Sequence, residues 1–173
     1  MTLPADGFPL TGGERHAEAI PLSRIAEAVG TPAYVYSAAV LRDRYARYAR
    51  AFADLDCLIA YAVKANGNLS VIRVLAAQGA GADTVSEGEI RRALAAGVPL
   101  ERIIFSGMGK TDAELAFALT LTGLQINVES TPEYERLTAL ARAAGVRPLM
   151  VVRVNPDVAA GGHAKIATGK TGD

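Results

Sequence analysis

The fold is set by Leu58-Ile59-Ala60-Tyr61-Ala62-Val63-Lys64, an apolar run that ends in a lysine. Four runs of the same kind follow it along the chain: Ala82–Val85, Arg102–Phe105, Gln125–Val128 and Leu149–Val154. They recur roughly every 20 to 24 residues, and the segments between them have the apolar spacing of amphipathic helices. This alternation predicts repeated βα units that build a parallel sheet.

The predicted helices carry regular start and stop signals. The starts are Ser/Thr-x-x-Glu capping patterns, in which two side chains satisfy first-turn amides: Ser86 with Glu89, Thr111 with Glu114, and Ser130 with Glu133. The stops are glycines, which readily adopt the positive φ that ends a helix: Gly79, Gly97, Gly123 and Gly145. Each signal keeps step with the strands, so the sequence indicates α/β units independently of the apolar pattern.

The first part of the chain lies outside this regular spacing. Leu22–Val29 predicts a short helix, Ala33–Tyr36 a strand, and Ser37 the cap of a helix that runs through Arg50. Because the early strand is out of step with the other five, we expect it to belong to another sheet.

The number of strands limits the architecture. Five predicted strands from Leu58 onward are too few to close an eight-stranded barrel, which needs about 250 residues. The sequence of 173 residues therefore predicts either an open five-stranded sheet or the first part of a longer barrel chain.

Composition narrows the possible partners and compartment. The chain is 50% apolar and 21% charged, with 18 basic and 18 acidic side chains, as in a soluble globular protein. Zero net charge without a basic run argues against nucleic acid or an anionic membrane as partner. Cys57 is the only cysteine, which fits a reducing cytoplasm. We expect no signal peptide or transmembrane segment, and no metal site at His16 or His163.

Lys64 is the strongest candidate for chemistry. It follows the first apolar run, at the expected carboxyl end of a buried strand, where α/β folds place their ligands. Partial desolvation there favours the neutral form of an amine, which forms imines with aldehydes. The alternative is a structural lysine that reaches past the strand end to water.

Other polar residues stand at equivalent strand ends, where a barrel would bring them to one mouth. They are Asp83, Ser86, Ser106, Asn127, Glu129, Arg153 and Asn155. Structural roles remain open for them, since Ser86 and Glu129 could serve helix starts and Asp83 could pair with a neighbouring cation.

Several blocks of sequence, in the same order along the chain, resemble the bacterial diaminopimelate decarboxylases. These belong to the fold-type III pyridoxal-phosphate enzymes, the group related to alanine racemase and ornithine decarboxylase. The blocks lie at residues 61–66, 81–89, 104–110, 126–130, 153–156 and 163–169. The first block alone would indicate only the wider group, and the later ones narrow it.

The resemblance implies an α/β protein with an incomplete (β/α)8 barrel of about five βα units that binds pyridoxal 5′-phosphate. Residues 38–173 would be the partial barrel, and residues 1–37 would contribute to a second, β domain. Lys64 would be the imine-forming, catalytic lysine, with Asp83 near it and Ala62 and Arg153 lining the cofactor pocket. The implied reaction converts meso-2,6-diaminopimelate to L-lysine and carbon dioxide in a homodimer.

Other features of such enzymes do not occur in the 173 residues. They are a Lys-Phe-Gly segment, a histidine stacked on the cofactor, a glycine-rich phosphate loop, a glutamate facing the pyridine nitrogen and a late cysteine. His163 precedes that region and is not the stacking histidine. The resemblance thus implies an amino-terminal part of such an enzyme. Two alternatives remain: a non-catalytic pyridoxal-phosphate-binding protein, and a decarboxylase of another basic amino acid.

Overall fold

A computed structural model describes residues 7–154 of the chain, which contain two separate sheets. The first is a small antiparallel sheet of three short strands, β1 (Leu10–Thr11), β2 (Glu14–Ala17) and β3 (Ile20–Pro21). Gly12 and Gly13 both have positive φ, 61° and 84°, which allows the two-residue turn between β1 and β2. Helix α1 (Leu22–Val29) follows directly.

Carboxylates of the small sheet hold the first two helices. Glu14 Oε1 accepts a hydrogen bond from the Ser23 amide at 3.1 Å, in the first turn of α1. Glu18 Oε1 accepts from Ser37 Oγ at 2.9 Å and from the Ala39 amide at 2.8 Å. Ser37 also caps the next helix, as the sequence predicted, by accepting from Val40 N. The amino-terminal segment is thus fastened to the start of the larger unit.

The larger unit is a five-stranded parallel sheet whose strands alternate with helices. Its helices are α2 (Ala38–Ala51), α3 (Leu69–Ala76), α4 (Glu87–Ala95), α5 (Asp112–Leu119) and α6 (Thr131–Ala144). Its strands are β4 (Ala60–Ala62), β5 (Gly81–Thr84), β6 (Ile103–Phe105), β7 (Gln125–Val128) and β8 (Leu149–Val152). All five strands overlap the predicted runs, and α1 and α2 match the predicted helices to within a residue.

The strand order identifies the barrel type of sheet. The strands pair in chain order, β4-β5-β6-β7-β8, and helices α2 to α6 pack beside one another in the same order. A doubly wound sheet would reverse its order at a switch point and carry helices on both faces. A sequential order keeps the helices on one face, as in a (β/α)8 barrel. The described sheet is therefore an incomplete barrel of five strands.

Burial separates the two faces of this sheet. The helix-facing side chains are buried, among them Thr84, Phe105 and Ile126, while their neighbours along the strands are half-buried. The register places Ala62, Asp83, Ile104 and Gln125 side by side on that second, inner face. The core between sheet and helices thus leaves the inner face free to carry polar groups.

Two sequence predictions need correction. Ala33–Tyr36 form no strand, and the Tyr34 side chain is 92% exposed. The small sheet lies upstream instead, in strands of two to four residues that are too short to show a periodic pattern. Of the three capping patterns, only Thr111 with Glu114 forms the reciprocal box. Glu89 and Glu133 reach one residue further back, to the amides of Val85 and Glu129.

The helix stops are as predicted, since all four glycines have positive φ, from 68° at Gly145 to 101° at Gly123. Within residues 7–154, no helix combines the length and the apolar character that crossing a membrane would require.

Candidate functional site

The candidate lysine lies at the carboxyl end of the first strand of the large sheet. Lys64 occupies a single 3₁₀ turn, Val63–Ala65, directly after β4. Val63 is fully buried and anchors this turn, whereas Lys64 is exposed. Its amine makes no hydrogen bond or ion pair with any residue from 7 to 154. The expected partial desolvation is therefore wrong for the described part of the chain, because the inner face of a five-stranded sheet is open.

Two side chains brace the backbone that follows Lys64. Tyr61 Oη donates to the Asn66 carbonyl at 3.1 Å, and Arg92 on α4 donates to the Gly67 carbonyl at 3.0 Å. Partial burial raises the pKa of the Tyr61 phenol, so this side chain remains a neutral donor well above physiological pH. The lysine is thus exposed on a turn that is fixed on both sides.

Asp83 lies next to the lysine strand and heads a row of polar side chains. It is paired in register with Ala62, two residues before Lys64. Ser106 Oγ donates to Asp83 Oδ1 at 2.7 Å, Asn127 Nδ2 donates to Ser106 Oγ at 3.0 Å, and Gln125 Nε2 donates to Asn127 Oδ1 at 2.8 Å. All four side chains are half-buried, and together they cross β5, β6 and β7 on the inner face.

Arg153 lies at the far side of the sheet. Its amide continues the ladder of β8 by donating to the Val128 carbonyl at 2.9 Å. Its guanidinium contacts Glu129 Oε2 at 2.7 Å, with the arginine side chain 55% and the glutamate side chain 6% exposed. Glu129 Oε1 also accepts from the Gly107 amide at 2.7 Å. Glu129 therefore joins the loop after β6 to the arginine rather than only starting a helix.

Sequence reasoning missed the most deeply buried ion pair of this region. Lys110 Nζ donates to Glu133 Oε1 at 2.8 Å, and the side chains are 1% and 4% exposed. The same ammonium donates to the carbonyls of Gly107 and Asn127, both at 2.7 Å. The sequence pattern indicates only a capping role for Glu133. The scarcity of lysine, with only four in the chain, was a usable signal that Lys110 has a special place.

The structure brings together some of the predicted residues and separates others. Ala62, Asp83, Ser106 and Asn127 share the inner face, while Lys64 and Arg153 lie beyond the ends of the two outermost strands, β4 and β8. Ser86 caps α4 through the Glu89 amide, so its observed contact is structural. The predictions at Asn155 and His163 fall outside the described residues. No cluster of three possible metal ligands occurs within residues 7–154.

These residues fit an aldehyde cofactor with an acidic tail. An exposed amine without a partner in residues 7–154 is available for attack on a carbonyl carbon. The neighbouring Ala62 leaves room on the inner face, Asp83 supplies a carboxylate, and Arg153 supplies a cation. Imine formation at Lys64 is what this arrangement can do chemically, with Asp83 on the neighbouring strand and Arg153 past the end of β8, at the far side of the sheet.

Comparison with known proteins gives one family and a set of close relatives. Residues 38–173 match the family model described as "Pyridoxal-dependent decarboxylase, pyridoxal binding domain". A diaminopimelate decarboxylase of Neisseria meningitidis is 49% identical over 88% of this chain and 37% of its own length. One from Pseudomonas fluorescens is 48% identical over 95% of this chain and 40% of its own length. The chain thus spans about two fifths of the length of these curated relatives.

A solved structure shows the same arrangement. The crystal structure described as diaminopimelate decarboxylase from M. jannaschii in co-complex with L-lysine superposes with a TM-score of 0.87. It is 34% identical and covers 97% of this chain and 40% of the matched chain. The incomplete barrel and the small sheet therefore have a counterpart in a longer protein of known structure.

Proposed function

The chain belongs to the pyridoxal-dependent decarboxylases, and from this premise we propose that it forms the lysine-bearing part of a meso-2,6-diaminopimelate decarboxylase. The proposed products are L-lysine and carbon dioxide. The two relatives of 48% and 49% identity bear the name of this enzyme, which supports the choice of substrate over other basic amino acids.

One observation carries the proposal more than any other: the amine of Lys64. It is exposed directly after β4, which carries Ala62 and pairs in register with the strand of Asp83. It has no partner among the described residues. Lys64 would attach pyridoxal 5′-phosphate through the cofactor's aldehyde. When bound, this cofactor accepts the electron pair that remains on carbon after carbon dioxide leaves.

The surrounding residues would orient the cofactor and hold charge. Asp83, half-buried and fixed by Ser106, would present a carboxylate from β5, the strand that pairs with β4 just before Lys64. Ala62 would leave space for the ring because its side chain is a single methyl group. Arg153, held by Glu129 at 2.7 Å, would present a cation to the anionic groups of cofactor or substrate.

We further propose the larger assembly in which this part works. Residues 1–37 would contribute to a β domain and residues 38–173 to the cofactor-binding barrel. The whole protein would be a homodimer, a proposal that rests on the family resemblance. A single, exposed cysteine, Cys57, supports a reducing compartment such as the cytoplasm.

The test uses the reading frame that encodes these residues, expressed in a bacterial strain that needs lysine because its own diaminopimelate decarboxylase is deleted. We expect growth without lysine, and carbon dioxide release from meso-2,6-diaminopimelate by the purified protein. Lys64→Ala in the same frame should abolish both. Carbon dioxide release from ornithine, lysine or arginine instead would favour a different decarboxylase. Cofactor binding without carbon dioxide release from any of them would favour a non-catalytic protein.

A further inference from the structure

In the row of polar side chains on the inner face, every hydrogen bond is donated in the same direction, toward Asp83. We propose that Gln125, Asn127 and Ser106 are positioning residues, a chain of hydrogen-bond donors that holds the Asp83 side chain in place beside the lysine turn. The geometry consists of three consecutive hydrogen bonds of 2.8, 3.0 and 2.7 Å, each donated toward Asp83. The functional part of this inference rests on the proposed role of Lys64, but the hydrogen-bond direction does not.

The direction follows from the number of hydrogens at Ser106. A serine hydroxyl has one hydrogen to donate. Because that hydrogen goes to Asp83, Ser106 can only accept from Asn127. The amide nitrogen of Asn127 must then face Ser106, which leaves its oxygen to accept from Gln125. Asp83, as the acceptor at the end of the chain, therefore dictates the orientation of every amide behind it.

The opposite direction would need a protonated Asp83. A neutral carboxyl group could donate to Ser106, whose hydroxyl would then donate to the oxygen of a rotated Asn127. Asp83 Oδ2 accepts no hydrogen bond from residues 7–154, and Asp83 is paired in register with Ala62, two residues before Lys64.

Asn127→Asp tests the direction without any cofactor. The substitution places two acceptors, Asp83 and the new carboxylate, on the one hydroxyl hydrogen of Ser106. The folded variant must then bind a proton between the two carboxylates, which raises their shared pKa above the ordinary value of about 4. A raised pKa means that stability is present at low pH and is lost as the pH rises through the folded-state value.

The measurement is the unfolding constant in urea of the protein expressed from the whole reading frame that encodes these residues, followed by circular dichroism from pH ~4.5 to pH ~7.5. For Asn127→Asp relative to the parent chain, we expect this constant to increase by about tenfold or more across that range. The other charged groups at this end of the sheet are the same in both chains, so they enter the ratio only through their interaction with the new carboxylate. They are Lys64, Glu89, Lys110, Glu129, Glu133 and Arg153.

Two control variants separate direction from packing. Asn127→Ala loses the same donor without adding an acceptor. The unfolding constant of this variant relative to that of the parent chain should therefore not change with pH. Asn68→Asp adds the same charge at the cap of α3, where the side-chain oxygen only accepts from the Ser70 amide at 2.8 Å. An aspartate at position 68 can still accept this hydrogen bond, so the unfolding constant of this variant relative to that of the parent chain should stay nearly constant with pH.

Each outcome bears on the proposal. An Asn127→Asp variant that unfolds at neutral pH and regains a cooperative transition in acid supports it. The proposal is overturned if Asn127→Asp and Asn127→Ala depend on pH alike, or if Asn127→Asp stays unfolded in acid while Asn127→Ala folds. None of these results depends on Lys64, so the proposed function can fail separately.

Discussion

Lys110 Nζ lies 2.8 Å from Glu133 Oε1, and both side chains are almost completely removed from solvent. The ammonium completes its three donors with the carbonyls of Gly107 and Asn127. This one group therefore ties the loop after β6 to the end of β7 and to the start of α6. The same loop carries the Gly107 amide that binds Glu129, the partner of Arg153. A buried structural pair thus supports the arginine side of the candidate site.

Breaking the ion pair between Lys110 and Glu133 should strongly destabilise the folded chain. We expect Glu133→Ala to destabilise the chain by about 3 to 5 kcal/mol, because it leaves the Lys110 charge buried without its partner. Replacing both partners, as in Lys110→Met with Glu133→Leu, should cost less than the single change. Urea unfolding followed by circular dichroism measures both. A Glu133→Ala chain as stable as its parent would show that the pair contributes nothing.

The Glu18 carboxylate should make the attachment of the amino-terminal segment dependent on pH. The Ala39 amide, and then the Ser37 hydroxyl, hold the pKa of Glu18 below its ordinary value. Because the folded-state pKa is lowered, the stabilisation is present above the ordinary value and is lost as the pH falls through the lower one.

Glu18→Gln should remove this pH dependence and cost up to about 1 kcal/mol at neutral pH, given how exposed the group is. The matched control is Glu27→Gln, an exposed position on α1 with no partner among residues 7–154. The unfolding free energy at several pH values distinguishes the two. Equal acid sensitivity of Glu18→Gln and the parent chain would show that Glu18 is not the group responsible.

The brace between α4 and the lysine turn should be visible in backbone dynamics. Arg92→Ala removes the donor to the Gly67 carbonyl, a contact that contributes about 0.5 to 1.5 kcal/mol. We expect amide hydrogen exchange in residues 66–68 to accelerate by roughly threefold to tenfold. Arg142→Ala on α6 is the control, since Arg142 contacts no part of that turn. Unchanged amide hydrogen exchange in the Arg92→Ala variant would mean that the Tyr61 hydrogen bond alone fixes the turn.

Much of the fold could be predicted because its signals are local. Apolar runs, Ser/Thr caps and glycine stops depend on residues a few positions apart, and they located all five strands of the sheet. The row from Gln125 to Asp83 and the pair Lys110–Glu133 could not be predicted, because their partners are distant in sequence and meet only when the strands and helices pack together. The prediction of a strand at Ala33–Tyr36 was wrong, because a short apolar run does not show whether a neighbouring strand is present to pair with it.

The properties of the site residues also divide into those that could be predicted from the sequence and those that could not. Lys64, Ala62 and Asp83 could be selected from strand-end position and resemblance, and the structure places Asp83 beside Ala62. Exposure could not be predicted, because it depends on how many strands surround the inner face. The roles of these residues and of Arg153 in binding a cofactor stay predictions.

The central claim is that Lys64 is the amine that holds pyridoxal phosphate. The most direct measurement adds the cofactor to the folded chain, reduces the imine with borohydride, and maps the pyridoxyl label by peptide mass spectrometry. We predict a label on Lys64, its loss in Lys64→Arg, and none on the buried Lys110. A label spread evenly over the lysines, or absent from Lys64, would contradict the account.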